Sequence, residues 1–259
     1  MLEVKAKKRF GQNFLKDESV LNIIIQSMPK NNNKVVEIGP GLGDLTKKLV
    51  KYKDVIAYEV DRDLYSILKV EFINELSSNK LKLILADVLE VWKDGSSLYT
   101  KRYDLIANLP YYIATNIILK SLDDKNCEHI IVMVQKEVGD KFIANAKEKE
   151  YSPLGIISEL LCKTRKELVV VFPESFNPPP KVNSSVIYLK KNNDISLDKA
   201  FKDFLKIAFI APRKKLIKNL SSKYDKNNLI TLFNKFNIDL NIRPHELPAS
   251  LYSQIYNSL

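Results

Sequence analysis

The chain has 259 residues and carries 41 lysines and arginines against 31 aspartates and glutamates, a formal net charge of +10. With 45% hydrophobic and 28% charged residues, its composition is globular and excludes a disordered chain. The absence of an apolar run of about 18 residues predicts no membrane span, and the basic start lacks the apolar block of a secretory signal. Two scattered histidines and two distant cysteines predict no metal site and no disulfide framework, so we expect a cytoplasmic protein.

The excess of positive charge indicates a polyanionic partner, most often a nucleic acid. The same composition is also expected from coding bias, because 35 of the 41 basic residues are lysine and asparagine is abundant as well. Charge alone therefore leaves both explanations open.

From residue 34 onward, short apolar runs rich in β-branched residues alternate with amphipathic segments. In chain order the predicted elements are strand Lys34–Ile38, helix Asp44–Lys51, strand Val55–Asp61, helix Leu64–Leu76, strand Lys82–Val88, strand Tyr103–Ala107, helix Thr115–Leu122, strand Ile130–Gln135, helix Lys136–Ala146, and strands Leu168–Phe172 and Ser185–Leu189. Strands that alternate with helices predict a parallel, doubly wound α/β sheet. The last two strands are joined only by Pro173–Pro180, which is too short for a crossover helix, so we expect them to pair antiparallel. A sheet of this kind is the Rossmann-like arrangement of class I methyltransferases.

The composition shifts at Lys190–Ser196, and apolar residues recur beyond it at helical spacing. We therefore predict a catalytic domain over residues 1–191 and a small all-helical domain over residues 192–259. The second segment holds 11 basic and 6 acidic residues, so half of the net charge lies in about a quarter of the length.

A glycine-rich turn, Glu37–Gly43, follows the first predicted strand and opens a helix. Its spacing is G-x-G-x-G, which differs from the G-x-G-x-x-G of dinucleotide-binding proteins. Glycines such as Gly39 and Gly41 let the backbone turn tightly and approach a ligand closely. Taken alone, the turn is also compatible with a purely structural role.

Acidic residues near the ends of the next two strands strengthen the case for a ligand. Glu59 can accept hydrogen bonds from both hydroxyls of a ribose, and Asp87 can accept one from an adenine amino group. Val60 and Val88 stand beside these acids and are placed to enclose an adenine ring. The chain has no G-x-x-x-x-G-K-S/T phosphate loop, and an adenosyl ligand without a phosphate cradle favours S-adenosylmethionine over NAD or ATP.

The most specific motif, Asn108-Leu109-Pro110-Tyr111, directly follows the fourth strand. It resembles the Asn/Asp-Pro-Pro-Tyr signature of methyltransferases that act on exocyclic amino groups. The Asn108 side-chain oxygen and the Leu109 carbonyl can accept the two amino hydrogens, which directs the nitrogen lone pair toward the methyl donor. Pro110 fixes the local backbone, and Tyr111 can stack on a flipped-out base. Phe176, in the proline-rich segment between the last two strands, is expected to be an exposed second wall for the base, although taken alone its position is more typical of a core residue or a loop anchor.

Taken together, these motifs resemble those of the rRNA adenine N6,N6-dimethyltransferases, most of all the bacterial small-subunit type. The matching blocks extend over nearly the whole chain and are Lys8–Leu15, Glu37–Gly43, Asn108–Ile113, Met133–Val138, Pro178–Ser184, Ala208–Leu220 and Arg243–Leu247. One departure is Ala211-Pro212, which replaces the Gln-Arg usual in the family and concerns the RNA contacts of the tail rather than the chemistry.

The resemblance implies that Asn13 and Leu15 bind the methionine end of the cofactor, and that Phe10 and Gly11 belong to a segment folding over the pocket. The remaining cofactor residues that it implies are Gly39, Glu59, Asp87 and Asn108. It further implies transfer of four methyl groups to two adjacent adenosines in a hairpin near the 3′ end of 16S rRNA. The partner is then the small ribosomal subunit late in its assembly, and we expect a monomer without metal or membrane contact.

Three other functions are compatible with parts of the pattern. A 23S rRNA adenine N6-methyltransferase of the macrolide-resistance type shares the fold, but it usually has Ile in place of Leu109 and lacks the Ala208–Leu220 pattern. A DNA adenine methyltransferase is disfavoured because no target-recognition insertion is evident. An assembly factor that has lost catalysis is disfavoured by the intact Asn108–Tyr111 motif and by Glu59.

Overall fold

The structure, a computed structural model, describes Lys7 and residues 11–259 and divides into two compact units. The first unit comprises the described residues up to Gly139 together with Lys166–Asn193, and the second comprises Asp140–Arg165 with Asp194–Leu259. The break after Asn193 lies two residues from the expected boundary. Residues 140–165, which we had placed in the first domain, group instead with the helical C-terminal segment. Their apolar spacing suits a helix in either unit, so the sequence pattern alone does not assign them.

The central element of the first unit is a mixed β-sheet. The strands of the described chain are β1 (Phe14–Leu15), β2 (Lys34–Ile38), β3 (Val55–Glu59), β4 (Leu81–Leu85), β5 (Tyr103–Asn108), β6 (Cys127–Gln135), β7 (Cys162–Val171), β8 (Phe176–Asn177) and β9 (Ser184–Lys191). The main sheet has the order β4-β3-β2-β5-β6-β9-β7, with β1 and β8 forming a separate antiparallel pair. Strands β2 to β6 pair in parallel, whereas β9 pairs antiparallel with β6. The predicted α/β fold with an antiparallel final strand is therefore confirmed.

Amphipathic helices cover the sheet. Those of the first part of the chain are α1 (Glu18–Gln26), α2 (Asp44–Leu49), α3 (Arg62–Glu71), α4 (Ile73–Ser77), α5 (Val88–Val91), α6 (Ala114–Asp123) and α7 (Lys136–Ile143). Apolar residues of α1 and α2 pack with those of β2, β3 and β6 in one buried cluster. The predicted single helix Leu64–Leu76 is divided at Phe72, whose buried ring lies 2.6 Å from where a Cβ atom on Gly43 would be.

Aspartates begin several of these helices, and this alters two predicted strand ends. Asp61 accepts a hydrogen bond from the Asp63 backbone N–H as the N-cap of α3, and Asp87 accepts one from Leu89 N–H as the N-cap of α5. Side-chain caps of this kind satisfy the backbone donors that a helix leaves free at its start. Strand β3 therefore ends at Glu59 and β4 at Leu85, so Asp87 belongs to a helix start rather than to a strand end.

The second unit is built from helices around an aromatic core. They are α8 (Pro153–Leu161), α9 (Lys199–Ala208), α10 (Leu216–Leu220), α11 (Lys226–Lys235) and α12 (Ala249–Tyr256). Helix α8 packs against α9 and α12, and the ring of Phe201 meets that of Tyr256 edge-on with centroids 5.2 Å apart. Over Lys7 and residues 11–259, no helix has the length and apolar character needed to cross a membrane.

Candidate functional site

A cavity of about 980 Å³ opens in the first unit at the carboxyl ends of β2, β3 and β5. This is the edge at which open parallel sheets generally bind their ligands. The cavity is lined by all but one of the site residues expected from the sequence, namely Asn13, Leu15, Gly39, Gly41, Glu59, Val60, Asp87, Val88, Asn108, Leu109, Pro110 and Tyr111.

The glycine turn after β2 forms the floor of the cavity. Gly39 and Gly41 have φ angles of 68° and 63°, a region that side-chain-bearing residues rarely adopt. A Cβ atom on Gly41 would also lie 3.1 Å from the Phe14 ring. The Gly41 N–H donates to Glu59 Oε2 at 3.2 Å, so the turn is fastened to the end of the neighbouring strand.

Glu59 closes the cavity from the end of β3. It is buried, and its second oxygen accepts a hydrogen bond of 2.8 Å from the backbone N–H of Asp61. Burial raises the pKa of Glu59, while the backbone N–H groups of Asp61, Gly41 and Val60 oppose that rise. The carboxylate therefore combines backbone donors that hold it in place with a position on the cavity lining.

A second buried acid, Glu37, lies at the same edge and was not among the predicted site residues. It lines the cavity from β2, and its Oε2 accepts a hydrogen bond of 2.7 Å from Thr46 Oγ1. Burial raises the pKa of Glu37 to about 8, with the negative charge of Glu59 adding to the effect. The Glu37-x-Gly pattern in the sequence was the available signal, since it puts an acid beside the turn that contacts the ligand.

Residues following β3 and β4 form the part of the cavity at which the sequence predicts an adenine. Val88 is buried, whereas Val60 is 39% exposed and Asp87 lies at the surface, so its free carboxylate oxygen is accessible. Tyr112, also absent from the predicted set, lines the rim with 61% of its surface exposed. A Cβ atom on Gly11 would lie 3.4 Å from the Tyr112 ring, which shows how closely this ring packs on the N-terminal segment.

The N-terminal segment is fastened over the cavity by polar contacts. Gln12 donates to Asp61 Oδ2 at 3.0 Å, and the Lys7 ammonium reaches Asp61 at 2.6 Å. Although burial alone would raise it, these donors bring the pKa of Asp61 below its usual range. Phe10, expected in this segment, lies outside the described residues, but Gly11 and Asn13 line the cavity as expected.

Asn108 presents one amide oxygen into the cavity in a fixed orientation. Its Nδ2 donates to the Asn13 carbonyl at 3.1 Å, so the Oδ1 atom points away from that contact. The next residue, Leu109, is anchored through its N–H to the Met133 carbonyl at 3.1 Å, and its own carbonyl accepts no backbone hydrogen bond from the described chain. Asn108 and Leu109 are consecutive residues that both line the cavity, and each has an acceptor of the kind that an amino group with two hydrogens requires.

Tyr111 stands beside these acceptors with its ring half-buried. Its hydroxyl lies 2.7 Å from the Oγ of Ser184, a fully buried residue at the start of β9 that the sequence argument did not single out. Pro110 packs its ring on the turn, 3.6 Å from where a Cβ of Gly39 would lie. The backbone of Tyr111 follows Pro110 and its hydroxyl is held by Ser184, so the residue is positioned at both ends on the cavity lining.

The expectation for Phe176 is wrong as regards exposure. Its side chain is only 5% exposed, does not line the cavity and belongs to the main apolar cluster. The reason is the short β1–β8 sheet, in which Phe176 pairs with Leu15 and points into the core. The rigid, proline-rich context was visible in the sequence, but the pairing with a two-residue strand near the N-terminus was not.

Comparisons with known proteins agree with this arrangement. The family model described as ribosomal RNA adenine dimethylase matches residues 3–259. The chain is 60% identical over 259 residues, covering 100% of it and 98% of the relative, to the "Ribosomal RNA small subunit methyltransferase A" of Aliarcobacter butzleri (strain RM4018).

Two solved structures share the fold at lower identity. The dimethyladenosine transferase from Plasmodium falciparum superposes with a TM-score of 0.79 at 24% identity, covering 93% of this chain and 95% of that one. The 23S rRNA methyltransferase ErmE gives a TM-score of 0.73 at 20% identity, covering 95% and 99%. The chain therefore belongs to the ribosomal RNA adenine dimethylase family and is an S-adenosylmethionine-dependent methyltransferase.

Proposed function

We propose that the protein dimethylates the N6 amino groups of two adjacent adenosines in a 3′-terminal hairpin of 16S rRNA, within the small ribosomal subunit during late assembly. The observation that carries the chemistry is the fixed pair of acceptors, Asn108 Oδ1 and the Leu109 carbonyl, beside the ring of Tyr111. The small-subunit target is supported by the name of the relative that is 60% identical over the full chain.

The cavity suits S-adenosylmethionine because its donors and acceptors match the parts of that molecule. The Glu59 carboxylate lines the cavity as an acceptor for the ribose hydroxyls, Asp87 keeps a carboxylate oxygen for the adenine amino group, and Val60 and Val88 supply apolar walls. Asn13 and Leu15 line the part of the cavity assigned to the methionine end. When bound, the cofactor supplies an electrophilic methyl group on a positively charged sulfur.

The residues of the chain prepare the adenine amino group for attack. An exocyclic amino nitrogen is a poor nucleophile because its lone pair is delocalised into the ring. Accepting both amino hydrogens at Asn108 Oδ1 and the Leu109 carbonyl favours a pyramidal nitrogen with a localised lone pair. The same acceptors stabilise the positive charge that develops on the nitrogen as it is alkylated, because they are already oriented before the reaction. The Tyr111 ring, whose hydroxyl contacts Ser184, stacks on the target base and keeps its amino group at these acceptors.

The basic loop between α9 and α10 is the part of the second unit that we assign to rRNA phosphates. Arg213, Lys214 and Lys215 are all exposed there. The buried Asn219 holds the loop from within, since its Nδ2 donates to the carbonyls of Ala208 at 2.7 Å and Ala211 at 3.1 Å. The departure from the family pattern at Ala211-Pro212 therefore falls in a loop whose backbone is fixed independently of those two side chains.

The chemistry and the target are tested together by methyl transfer to ribosomal particles. Purified protein with labelled S-adenosylmethionine is incubated with undermethylated 30S and, in parallel, with 50S particles, and the modified nucleosides are identified. We expect N6,N6-dimethyladenosine at two adjacent positions of 16S rRNA only. Labelling of 23S rRNA would instead establish the macrolide-resistance type. The fold alone does not distinguish these two types of methyltransferase. Absence of transfer with intact binding of 30S would establish a silent assembly factor.

The assignment of the basic loop is tested by salt dependence. Replacing Arg213, Lys214 and Lys215 by Gln should weaken 30S binding and reduce the slope of log K against log salt by about 2 to 3, at roughly 0.7–0.9 per phosphate contact. Lys226→Gln, an exposed cation on α11, is the matched control and should leave the slope unchanged. An equal change in both variants would assign the effect to overall charge and contradict a role of this loop.

A further inference from the structure

A carboxylate–histidine cluster lies at the ends of the central strands opposite the cofactor cavity. Asp104 stands at the start of β5, and Glu128 and His129 stand at the start of the neighbouring β6. One ligand-type atom from each of the three side chains lies within 4.8 Å of the others. We propose that this cluster is a second ligand site, which binds a divalent transition-metal ion of the zinc class.

A β-bulge brings the three side chains together. Tyr103 pairs with Cys127, but the next residue, Asp104, pairs with His129, so Glu128 is an additional residue on β6. In a regular strand, successive side chains point to opposite faces. A bulge re-aims one side chain, and bulges are frequent next to functional sites. Here it allows Glu128 and His129 to converge on the same carboxylate.

Asp104 has an unused oxygen in the interior. The residue is completely buried, and although its Oδ1 accepts from Asn33 Nδ2 at 3.1 Å, its Oδ2 has no hydrogen-bond partner among the described residues. Burying a carboxylate without a full set of partners is costly, and a cation is the partner that compensates it best.

The outer contacts of the cluster are those that support metal ligands. The Asn33 Nδ2 atom that holds Asp104 also donates to Glu128 Oε2 at 2.6 Å, and Arg102 pairs with the other oxygen of Glu128. His129 Nδ1 lies 2.8 Å from the Tyr188 hydroxyl, and the two rings stack, which leaves Nε2 for an ion. Ligating histidines are almost always fixed in this way through their other nitrogen.

The ligand types favour zinc over magnesium or calcium. One imidazole with two carboxylates suits zinc or a similar ion, whereas magnesium and calcium prefer oxygen ligands alone. A tetrahedral ion with bonds of about 2.0–2.2 Å holds its ligand atoms roughly 3.5 Å apart, which is compatible with the 4.8 Å limit within which these three atoms lie. Arg102 and Lys53 lie close to the cluster and offset part of its negative charge. Because this weakens the attraction for a cation, we expect the ion to be exchangeable. Our sequence argument against metal weighed histidines and cysteines and did not consider the carboxylates.

The proposal is tested by zinc titration of the full-length protein after chelator treatment. Calorimetry with ZnCl₂ should show one equivalent bound, and zinc should raise the thermal midpoint. His129→Gln should weaken zinc binding by more than about 100-fold, and Tyr188→Phe, which removes an outer contact, by about 10- to 100-fold. His245→Gln, which alters the other histidine of the chain, is the matched control and should bind zinc as the parent does.

Binding of S-adenosylmethionine provides a fold check that is independent of the metal, because that cavity lies at the other ends of the strands. Each variant should bind the cofactor with the parental affinity. The proposal is overturned if the parent binds no stoichiometric zinc, or if cofactor-competent His129→Gln and Tyr188→Phe both bind it as tightly as the parent. Equal loss in His245→Gln would likewise overturn it, by placing the zinc elsewhere.

Discussion

Replacing Asn108 by Ala separates two roles that the structure gives to one side chain. The amide oxygen is available to the target amino group, and the amide nitrogen donates to the Asn13 carbonyl at 3.1 Å. Loss of the oxygen removes a preoriented acceptor that stabilises the positive charge on the target nitrogen, and this charge develops only in the transition state. Removing one such group typically costs about 2.7–4 kcal/mol, or about 10²- to 10³-fold in kcat. Loss of one ordinary hydrogen bond costs about 1 kcal/mol, so KM for the cofactor should rise no more than about fivefold.

Single-turnover methylation of 30S particles, with cofactor concentration varied, measures both quantities. Gln12→Ala is the matched control, because Gln12 holds the same N-terminal segment through Asp61 and does not touch the amino-group acceptors. It should raise KM with kcat nearly unchanged. Asn108→Asp, which keeps an oxygen but loses the amide donor, should retain more activity than Asn108→Ala. If Asn108→Ala and Gln12→Ala both changed only KM, Asn108 would serve only to hold the N-terminal segment in place. Our account of its part in catalysis would then be refuted.

Three further predictions concern the walls of the cavity. Glu59→Gln should weaken cofactor binding in calorimetry by about 10- to 100-fold, since a charge-assisted hydrogen bond contributes about 1.5–3 kcal/mol; an unchanged Kd would contradict the ribose assignment. Glu37 has a pKa of about 8 when folded against 4.5 otherwise, so between these values the unfolded chain releases a proton that the folded chain keeps, and stability falls as pH rises. Glu37→Gln should remove this dependence of stability on pH. Above pH 8 its free energy of unfolding in urea should exceed that of the parent by up to about 5 kcal/mol. If the unfolding free energies of parent and variant changed with pH in parallel, the raised pKa of Glu37 would be excluded. Tyr112→Ala should raise KM for the cofactor several-fold at constant kcat. Tyr112→Phe should leave KM unchanged, because the ring rather than the hydroxyl packs on Gly11. A fall in kcat alone in Tyr112→Ala would place the ring at the target base instead.

Much of the parallel sheet was predictable because each strand is a short apolar run bounded by turn residues. Strand β2 was placed to the residue, and β5 differed by one. The ends of β3 and β4 were less certain, since aspartates that follow a strand serve equally as strand ends and as helix caps. The cap function of Asp61 and Asp87 becomes visible only when the backbone N–H groups they accept from are known.

Residues whose position depends on distant pairing were not predictable. Phe176 was expected at the surface because its own neighbours are polar and proline-rich, yet it is covered by pairing with Leu15, which is 161 positions earlier in the chain. Ser184 and Gln12 have the same character, because each acts through a partner that is remote in sequence. In contrast, Asn108 and Glu59 each end a single strand, so their positions on the cavity could be predicted from local sequence order alone.

Two buried acids at the carboxyl edge of the sheet lower the stability of the empty fold. Glu37 and Glu59 stand at the ends of neighbouring strands, burial raises the pKa of each, and the charge of Glu59 adds to the shift at Glu37. An apolar pair of the same size would be buried here at lower cost. If Glu59 accepts hydrogen bonds from the cofactor, as we propose, cofactor binding should stabilise the parent more than Glu59→Gln. That difference in stabilisation is expected from an edge whose polar groups are arranged for a ligand rather than for the empty fold.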